Sequence, residues 1–147
     1  MNHLFCFGLG YSAMHIARRL SERGWRITGT TTSQTGLDEL ARAGFGAILF
    51  DGQNANAQID TALSLATHVL MSIPPKADGD PAFLHYAKTI RASDAISWIG
   101  YFSTVGVYPD TKGAWVTEDH EAKPVSVRGQ HRLSAEQAWQ SLGATSN

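Results

Sequence analysis

Residues 4–7, Leu-Phe-Cys-Phe, form an unbroken apolar run that stops at Gly8-Leu9-Gly10. Apolar residues then return at helical spacing, at Ala13, Ile16, Ala17 and Leu20. A short apolar run closed by glycine reads as a buried strand, and the recurring three- and four-residue intervals read as an amphipathic helix. Strand, glycine turn and helix in immediate succession constrain the fold more than anything else in the chain. Each small residue has a physical task. Gly8 permits the tight turn, Gly10 lets the backbone approach a pyrophosphate, and Ala13 lets the helix pack closely on the strand. The first N–H groups of that helix, at the positive end of its dipole, then face the phosphates, with Tyr11 and Ser12 lining the same turn. The pattern is the opening of a dinucleotide-binding fold. The competing reading is a doubly wound domain that keeps the glycines for packing and binds nothing.

The same alternation repeats along the chain. Residues 25–30 read as a second strand, and Thr31, Thr32 and Ser33 lead into a helix with Leu37, Leu40 and Ala41 on its inner face. Residues 47–50 are a third apolar strand closed by Asp51-Gly52, and a short helix carries Ile59, Ala62, Leu63 and Ala66. Residues 68–73 form the fourth strand, ended by Pro74-Pro75. Asp80-Pro81 is a helix start, a capping side chain followed by proline at the first helical position. Phe83, Leu84, Ala87 and Ile90 are expected on that helix's buried face. The fifth strand is expected at 97–102, and a last helix at about 127–142 should bury Leu133, Ala135, Ala138, Trp139 and Leu142. Strands alternating with helices predict an α/β, Rossmann-type doubly wound parallel sheet, covered on both faces, with Trp98 in the core. Five strands are visible, and the chain stops at residues 143–147, where another strand would be expected. Residues 1–147 thus read as one NAD(P)-binding domain, expected to be a fragment of a longer protein that lacks the last strands.

Composition narrows the class of partner. At 43% hydrophobic and 17% charged residues, the chain is an ordinary globular one. A net charge of −1 gives no electrostatic reason to expect nucleic acid or a membrane surface. The single cysteine, Cys6, forbids an internal disulfide and reads as a buried, inert thiol. With neither a signal peptide nor a run long enough to span a bilayer, the expected compartment is the cytoplasm.

Two later stretches carry a resemblance. Ser103-Thr104-Val105-Gly106-Val107-Tyr108 is followed by Arg128-Gly129-Gln130-His131-Arg132-Leu133-Ser134-Ala135-Glu136. Together with the glycine turn they resemble the extended short-chain dehydrogenase/reductase family, and within it the atypical NAD-dependent epimerase/dehydratase-like members. The likeness runs from Leu4 to Trp139, and Ser72-Ile73-Pro74-Pro75 resembles the atypical branch as well. It implies that Gly8, Gly10 and Ala13 hold the pyrophosphate and that Asp51 lies near the adenine. It also implies that Ser72, Ile73 and Pro74 line the cofactor channel and that Thr104 bonds a substrate carbonyl or alcohol. The family also often pairs two copies through its fourth and fifth helices, here around 83–90 and 133–142, so a homodimer is one state the resemblance allows, and the sequence does not settle it.

The sequence departs from this family where chemistry is concerned. The family's catalytic tyrosine aligns with Arg128 and its lysine with Arg132. That mechanism needs a phenol able to give and take a proton, with an ammonium beside it. Arginine keeps its proton to about pH 12 and cannot serve as the acid/base. Arg132 could still donate to ribose hydroxyls, and the planar fork of Arg128 suits a carboxylate or phosphate. Tyr108, in the same loop, is a weak substitute for the phenol. His131 reads as a solvent-facing helix histidine, and Glu118 as either a loop organiser or a surface carboxylate. Asp119, His120 and Glu121 are neighbours in a loop without a second histidine at ligand spacing, so no metal site is expected.

The dinucleotide is argued from the end of the second strand. NAD-preferring folds place an acid there. Here Thr31, Thr32 and Ser33 offer hydroxyls and no carboxylate, which favours NADP, although no arginine stands beside the serine. Two functional expectations stay open. The first is an oxidoreductase or epimerase acting on a sugar-nucleotide-like or other small hydroxyl or carbonyl substrate, with Thr104, Arg128 and Arg132 around the reacting group. The second is a non-catalytic NAD(P)-binding sensor or scaffold that has lost tyrosine and lysine.

Overall fold

The computed structural model describes residues 1–143. In chain order the elements are β1 His3–Phe7, α1 Tyr11–Ser21, β2 Arg26–Thr31, α2 Gln34–Arg42 and β3 Gly46–Leu49. There follow α3 Ala57–Ser64, β4 His68–Met71, α4 Pro81–Arg91, β5 Trp98–Tyr101, a 3₁₀ turn Val105–Val107 and α5 Val127–Gly143. All strand pairs are parallel, in the order β3-β2-β1-β4-β5. The expected five-stranded, doubly wound Rossmann-type sheet is therefore present. The expectation of a missing strand beyond residue 143 falls on residues 144–147, outside the described residues.

The order of the strands reverses between β1 and β4. Consecutive strands add leftwards from β1, and then the chain crosses back to its other side. In open parallel sheets the crevice at such a reversal, beyond the carboxyl ends of the strands, is where ligands bind.

Two apolar layers flank the sheet. On one side Phe5, Phe7, Val69 and Met71 meet Ile59 and Leu63 of α3, Tyr86 and Ile90 of α4 and Trp139 of α5. On the other, Leu4, Cys6, Ile27 and Leu70 meet Ala13, Ala17 and Leu40. Phe7 stands edge-on to Phe5 with centroids 4.9 Å apart and lies 5.3 Å from the Tyr86 ring. Such ring pairs add about 0.5–1.5 kcal/mol beyond the area they bury. The Tyr86 hydroxyl accepts from the Asn56 backbone N–H at 2.7 Å and so ties the start of α3 to α4. Local capping works as anticipated at α4, where Asp80 accepts from the Phe83 N–H and Pro81 opens the helix. Among the described residues no helix is long and apolar enough to cross a membrane.

Several faces are turned differently from the expectation. The inner face of α4 is Ala82, Tyr86 and Ile90; of the expected set Ile90 is buried, Phe83 and Ala87 are half-buried, and Leu84 is 55% exposed. Tyr86 displaces the aliphatic reading because its ring fills the core while its hydroxyl finds a partner. Ala41 is exposed on α2. Along α5 the buried residues are Gly129, Arg132, Ala135 and Trp139, with Leu133 only half-buried. Ile16 and Trp98, both expected in the core, are 38% and 48% exposed. They line one apolar groove with Leu20, Trp25 and Phe102 over the α1 face of β4 and β5. The helices α1 and α2 lie against β1 to β3 and leave that part of the sheet uncovered, so the expectation of two fully covered faces holds for the centre of the sheet and not for β5.

His3 is the buried polar residue at the other end of β1. Its Nδ1 lies 3.1 Å from the Leu65 carbonyl, which can only accept, so Nδ1 carries the proton and Nε2 accepts from the Thr28 hydroxyl at 2.9 Å. Burial lowers the His3 pKa; the Leu65 bond opposes this and the Arg26 charge adds to it. A histidine more acidic in the fold than in the unfolded chain takes up fewer protons when folded. Stability is therefore complete above the unfolded value near 6.5 and declines as pH falls through it. Denaturant midpoints measured from pH 8 down to pH 5 should show this decline in the parent and a shallower one in His3→Gln. Equal slopes in the two chains would remove His3 as the cause.

Candidate functional site

Because every strand is parallel, the residues that follow β1, β2, β3, β4 and β5 all lie along one edge of the sheet. These are the glycine turn, Thr31 to Ser33, Asp51, Ser72 to Pro74, and Ser103-Thr104. The topology thus brings the predicted cofactor residues to the same side of the molecule.

The turn after β1 is held from β2. Thr30, buried in the sheet, accepts the Gly8 N–H on its hydroxyl at 2.8 Å and the Leu9 N–H on its carbonyl at 3.0 Å. The Gly10 N–H is donated to the Gly8 carbonyl at 2.8 Å. The two glycines are required for different reasons. Gly8 has φ +83°, and a Cβ there would lie 2.5 Å from Cγ2 of Ile73, in the segment after β4. It is needed by the fold, because the two loops touch at the point where the strand order reverses. Gly10 has φ −87° and ψ −164°, open to any residue, and a Cβ there would meet nothing within 4 Å. Neither backbone strain nor packing explains a glycine at this position.

Gly10 is the N-cap of α1, whose first turn has no capping side chain and no acidic residue. The first helical amide to find a backbone partner is that of Met14, donated to the Gly10 carbonyl. The N–H groups of Tyr11, Ser12 and Ala13 are thus left without an intrahelical acceptor, the arrangement that suits an anion. Tyr11 is 85% exposed and Ala13 is buried against the sheet, as its packing role requires. Arg18 and Arg42, with Glu39, line the groove that runs from this turn between α1 and α2. Cys6 sits beneath it, its thiol donating weakly to the Gly8 carbonyl, and burial pushes its pKa up to about 12. It is buried, as expected.

The hydroxyls after β2 are not equivalent. Thr31 ends the strand and packs its hydroxyl against Gly36 in the first turn of α2. The Ser33 hydroxyl caps α2, accepting the Gly36 N–H at 3.0 Å. Only Thr32 opens to a cleft of about 520 Å³, which it lines with Phe50, Asp51, Asn54 and Asn56. That volume falls within the range of small-ligand pockets, about 300–1,000 Å³. Asp51 is exposed and accepts the Gln53 N–H. Asn54 and Asn56 carried no signal in the sequence as cleft residues; they belong to a loop whose course is set by the Asn56–Tyr86 bond.

Around β5 the picture changes. Thr104 is exposed, and its hydroxyl accepts the Gly106 N–H at 3.3 Å at the head of the 3₁₀ turn. Arg128 is exposed at the start of α5. Gly129 lets α5 press against the Gly106 carbonyl, which fixes the helix to this loop. Arg132 does not share the open position of Arg128. It is 9% exposed, and its Nη1 donates to the Phe102 carbonyl at 2.7 Å and to the Tyr101 hydroxyl at 3.3 Å, with the guanidinium 5.6 Å from the Tyr101 ring centroid. The reading of Arg132 as a donor to ribose hydroxyls is corrected to this extent: Nη1 is committed inward. Tyr101 and Asp80, expected only as a strand residue and a helix cap, join Arg132 here. Burial pushes the Tyr101 pKa up to about 12, against the pull of Arg132. Tyr108 is half-buried with its ring edge-on to His120, and Glu118 is exposed. Among the described residues no cluster of three His, Cys, Asp or Glu side chains could hold a metal.

Comparison with known proteins agrees with the fold. The chain is 27% identical over 159 residues to protein YeeZ of Escherichia coli K12, an alignment covering 99% of this chain and 56% of that one. A solved structure of a conserved protein of unknown function from Silicibacter pomeroyi DSS superposes with a TM-score of 0.85 at 35% identity, covering 97% of this chain and 49% of that one. The UDP-glucuronic acid 4-epimerase of Bacillus cereus, solved in complex with NAD, superposes with a TM-score of 0.73 at 20% identity, over 97% of this chain and 53% of the enzyme. No family model matches the sequence. The chain spans about half the length of the relatives it matches.

Proposed function

We propose that this chain, which has the fold of the NAD-dependent epimerases resembled by its sequence, binds NAD(P) at the turn between β1 and α1. One observation carries the reading. Gly10 is a glycine that neither its backbone angles nor its neighbours require, at the head of a helix whose first amides have no cap. A Cβ there would fill the space that a pyrophosphate needs, so the residues fit the group. Thr32, Asp51 and the cleft they line would receive the adenosine end, and Ser72 to Pro74 would flank the nicotinamide end. The presence of NAD in the Bacillus cereus epimerase structure supports the same assignment. Lack of a carboxylate after β2 favours NADP over NAD.

The bound dinucleotide would supply hydride transfer to or from a hydroxyl or carbonyl carbon of a small, sugar-nucleotide-like substrate. The exposed Thr104 hydroxyl would bond the substrate oxygen, and Arg128 would hold an anionic substituent of the same molecule. A second reading, an NAD(P)-binding sensor or scaffold without catalysis, is favoured by the inward commitment of Arg132 and the absence of a phenol at position 128. Both readings share the dinucleotide.

Calorimetric titration of the chain with NADPH and NADH side by side tests it. Binding in the micromolar range, tighter for NADPH, is the expected result. A folded sample that takes up neither would overturn the proposal, and tighter NADH binding would overturn the preference alone.

A further inference from the structure

The groove between α1 and α2 has a volume of about 510 Å³ and opens at the glycine turn. Gly10, Tyr11 and Met14 line it together with Arg18 of α1 and Glu39 and Arg42 of α2. Both arginines are exposed. Among the described residues the one ion pair joins Lys123 to Glu121, so neither arginine has a carboxylate partner, although Glu39 lies in the same groove. Each arginine stands in the last turn of its helix, where a cation suits the negative end of the dipole. Arg19 meets that need on α1 as well. The dipole does not require that two helices place their cations in one space. Because β1 and β2 are parallel, α1 and α2 both begin at the edge of the sheet where the turn lies. Helical Cα–Cβ bonds tilt toward the N-terminus, which for both arginines is the Gly10 end of the groove.

The end of β2 has an opening on each side. On one side Thr32 leads into the cleft of Asp51, Asn54 and Asn56, which no cation lines. On the other, the groove carries two guanidinium groups against one carboxylate. NADPH differs from NADH only by a phosphate on the adenosine ribose, and a phosphate monoester carries about −1.5 to −2 charges at pH 7. The ribose ties that group to the pyrophosphate by a short covalent path. With the pyrophosphate on the α1 amides, the second phosphate must come to rest in one opening or the other. Asp51 repels it in the first, and Arg18 and Arg42 attract it in the second. Asp51 suits the amino group of adenine instead, as an acceptor.

We infer that Arg18 and Arg42 hold the 2'-phosphate of NADP in the groove between α1 and α2 and so set the preference for that cofactor. The inference rests on the reading of the glycine turn as a dinucleotide site. It moves the source of the preference away from the hydroxyls after β2, since Thr31 and Ser33 are engaged by the first turn of α2. The cation missing beside Ser33 is supplied from the two helices, and a planar guanidinium can bond two phosphate oxygens at once. Glu39 sets the limit, because its charge opposes the same phosphate.

Calorimetric titration with NADPH and NADH of the parent, Arg18→Gln/Arg42→Gln and Glu39→Gln tests this, with the melting temperature of each as the check on folding. The double variant is expected to lose about tenfold to a hundredfold in NADPH affinity and to bind NADH as the parent does. Glu39→Gln is expected to tighten NADPH by about threefold and leave NADH unchanged. Added salt should weaken NADPH binding more steeply in the parent than in the double variant, since the arginines are exposed and their charges screened. A double variant that keeps the parent's ratio of the two affinities, or that loses both cofactors equally, would overturn the inference and leave the dinucleotide site standing. So would a parent that prefers NADH. If the double variant does not fold, Glu39→Gln decides: no gain for NADPH over NADH overturns the inference. A folded parent that takes up neither cofactor overturns the reading of the turn, and this inference with it.

Discussion

A Gly10→Ser chain is expected to melt at the temperature of the parent and to lose about tenfold to a hundredfold in NAD(P)H affinity. Stability is spared for two reasons. The backbone at Gly10 lies in an ordinary extended region, and nothing within 4 Å would meet the new Cβ. Serine is also among the best N-cap residues, so α1 gains a cap that it now lacks. Binding suffers for the same reasons: the hydroxyl would occupy the approach to the helix and bond the amides that a phosphate would otherwise take. Gly8→Ala is the matched control with the opposite outcome. Its φ of +83° costs an L-residue about 1–2 kcal/mol. The approach to Ile73 Cγ2 at 2.5 Å adds about 1–3 kcal/mol of overpacking. Thermal denaturation and calorimetric titration of both variants separate the effects. A Gly10→Ser protein that binds as the parent does would mean that the turn is no phosphate cradle, whatever else the fold resembles.

Arg132→Ala is expected to destabilise the chain by about 1–3 kcal/mol, while Arg128→Ala stays within about 0.5 kcal/mol of the parent. The two arginines lie four residues apart on one helix and would both face the reacting group if the family's pattern were followed. Their surroundings differ. Arg132 is buried, and its removal strands the Phe102 carbonyl and the Tyr101 hydroxyl that its Nη1 now serves. Arg128 is exposed, and its loss leaves no buried group unpaired. For a domain of this size the first change lowers the melting temperature by about 3–10 °C. Equal, small effects at both positions would show that the Arg132 guanidinium is solvated, and would return it to the open site.

The same contrast bears on catalysis. Exchanging Arg132 for the family's lysine would restore a motif on paper while removing a buried strut, so a loss of fold would have to be excluded before any absence of turnover is read as chemistry. Arg128 is the position at which a substitution tests function without that complication.

How much was legible in the sequence depended on the range of the interaction. The strand, glycine turn and helix at the start and the Asp80-Pro81 helix entry are each specified by neighbours within a few residues. Both appear where their residues predicted them. The five-stranded parallel sheet was legible for the same reason, since β-α alternation with apolar strands admits few other solutions. The faces of helices were less so. On α4 the polar hydroxyl of Tyr86 disguised the residue that fills the core, and on α1 Ile16 had the right period but lines an apolar groove that remains open among the described residues.

The sequence by itself therefore determined the order of the elements, the turn after β1 and the set of residues brought to one edge of the sheet. Those follow from local backbone preference and from parallel strands all pointing one way. Only the tertiary structure decided that the fold requires a glycine at Gly8 and not at Gly10, because the difference is the presence of Ile73 beside one and of nothing beside the other. It also decided that Arg128 faces solvent and Arg132 the interior. The partners that turn Arg132 inward, Phe102 and Tyr101, lie 30 and 31 residues away along the chain, and no local pattern records them.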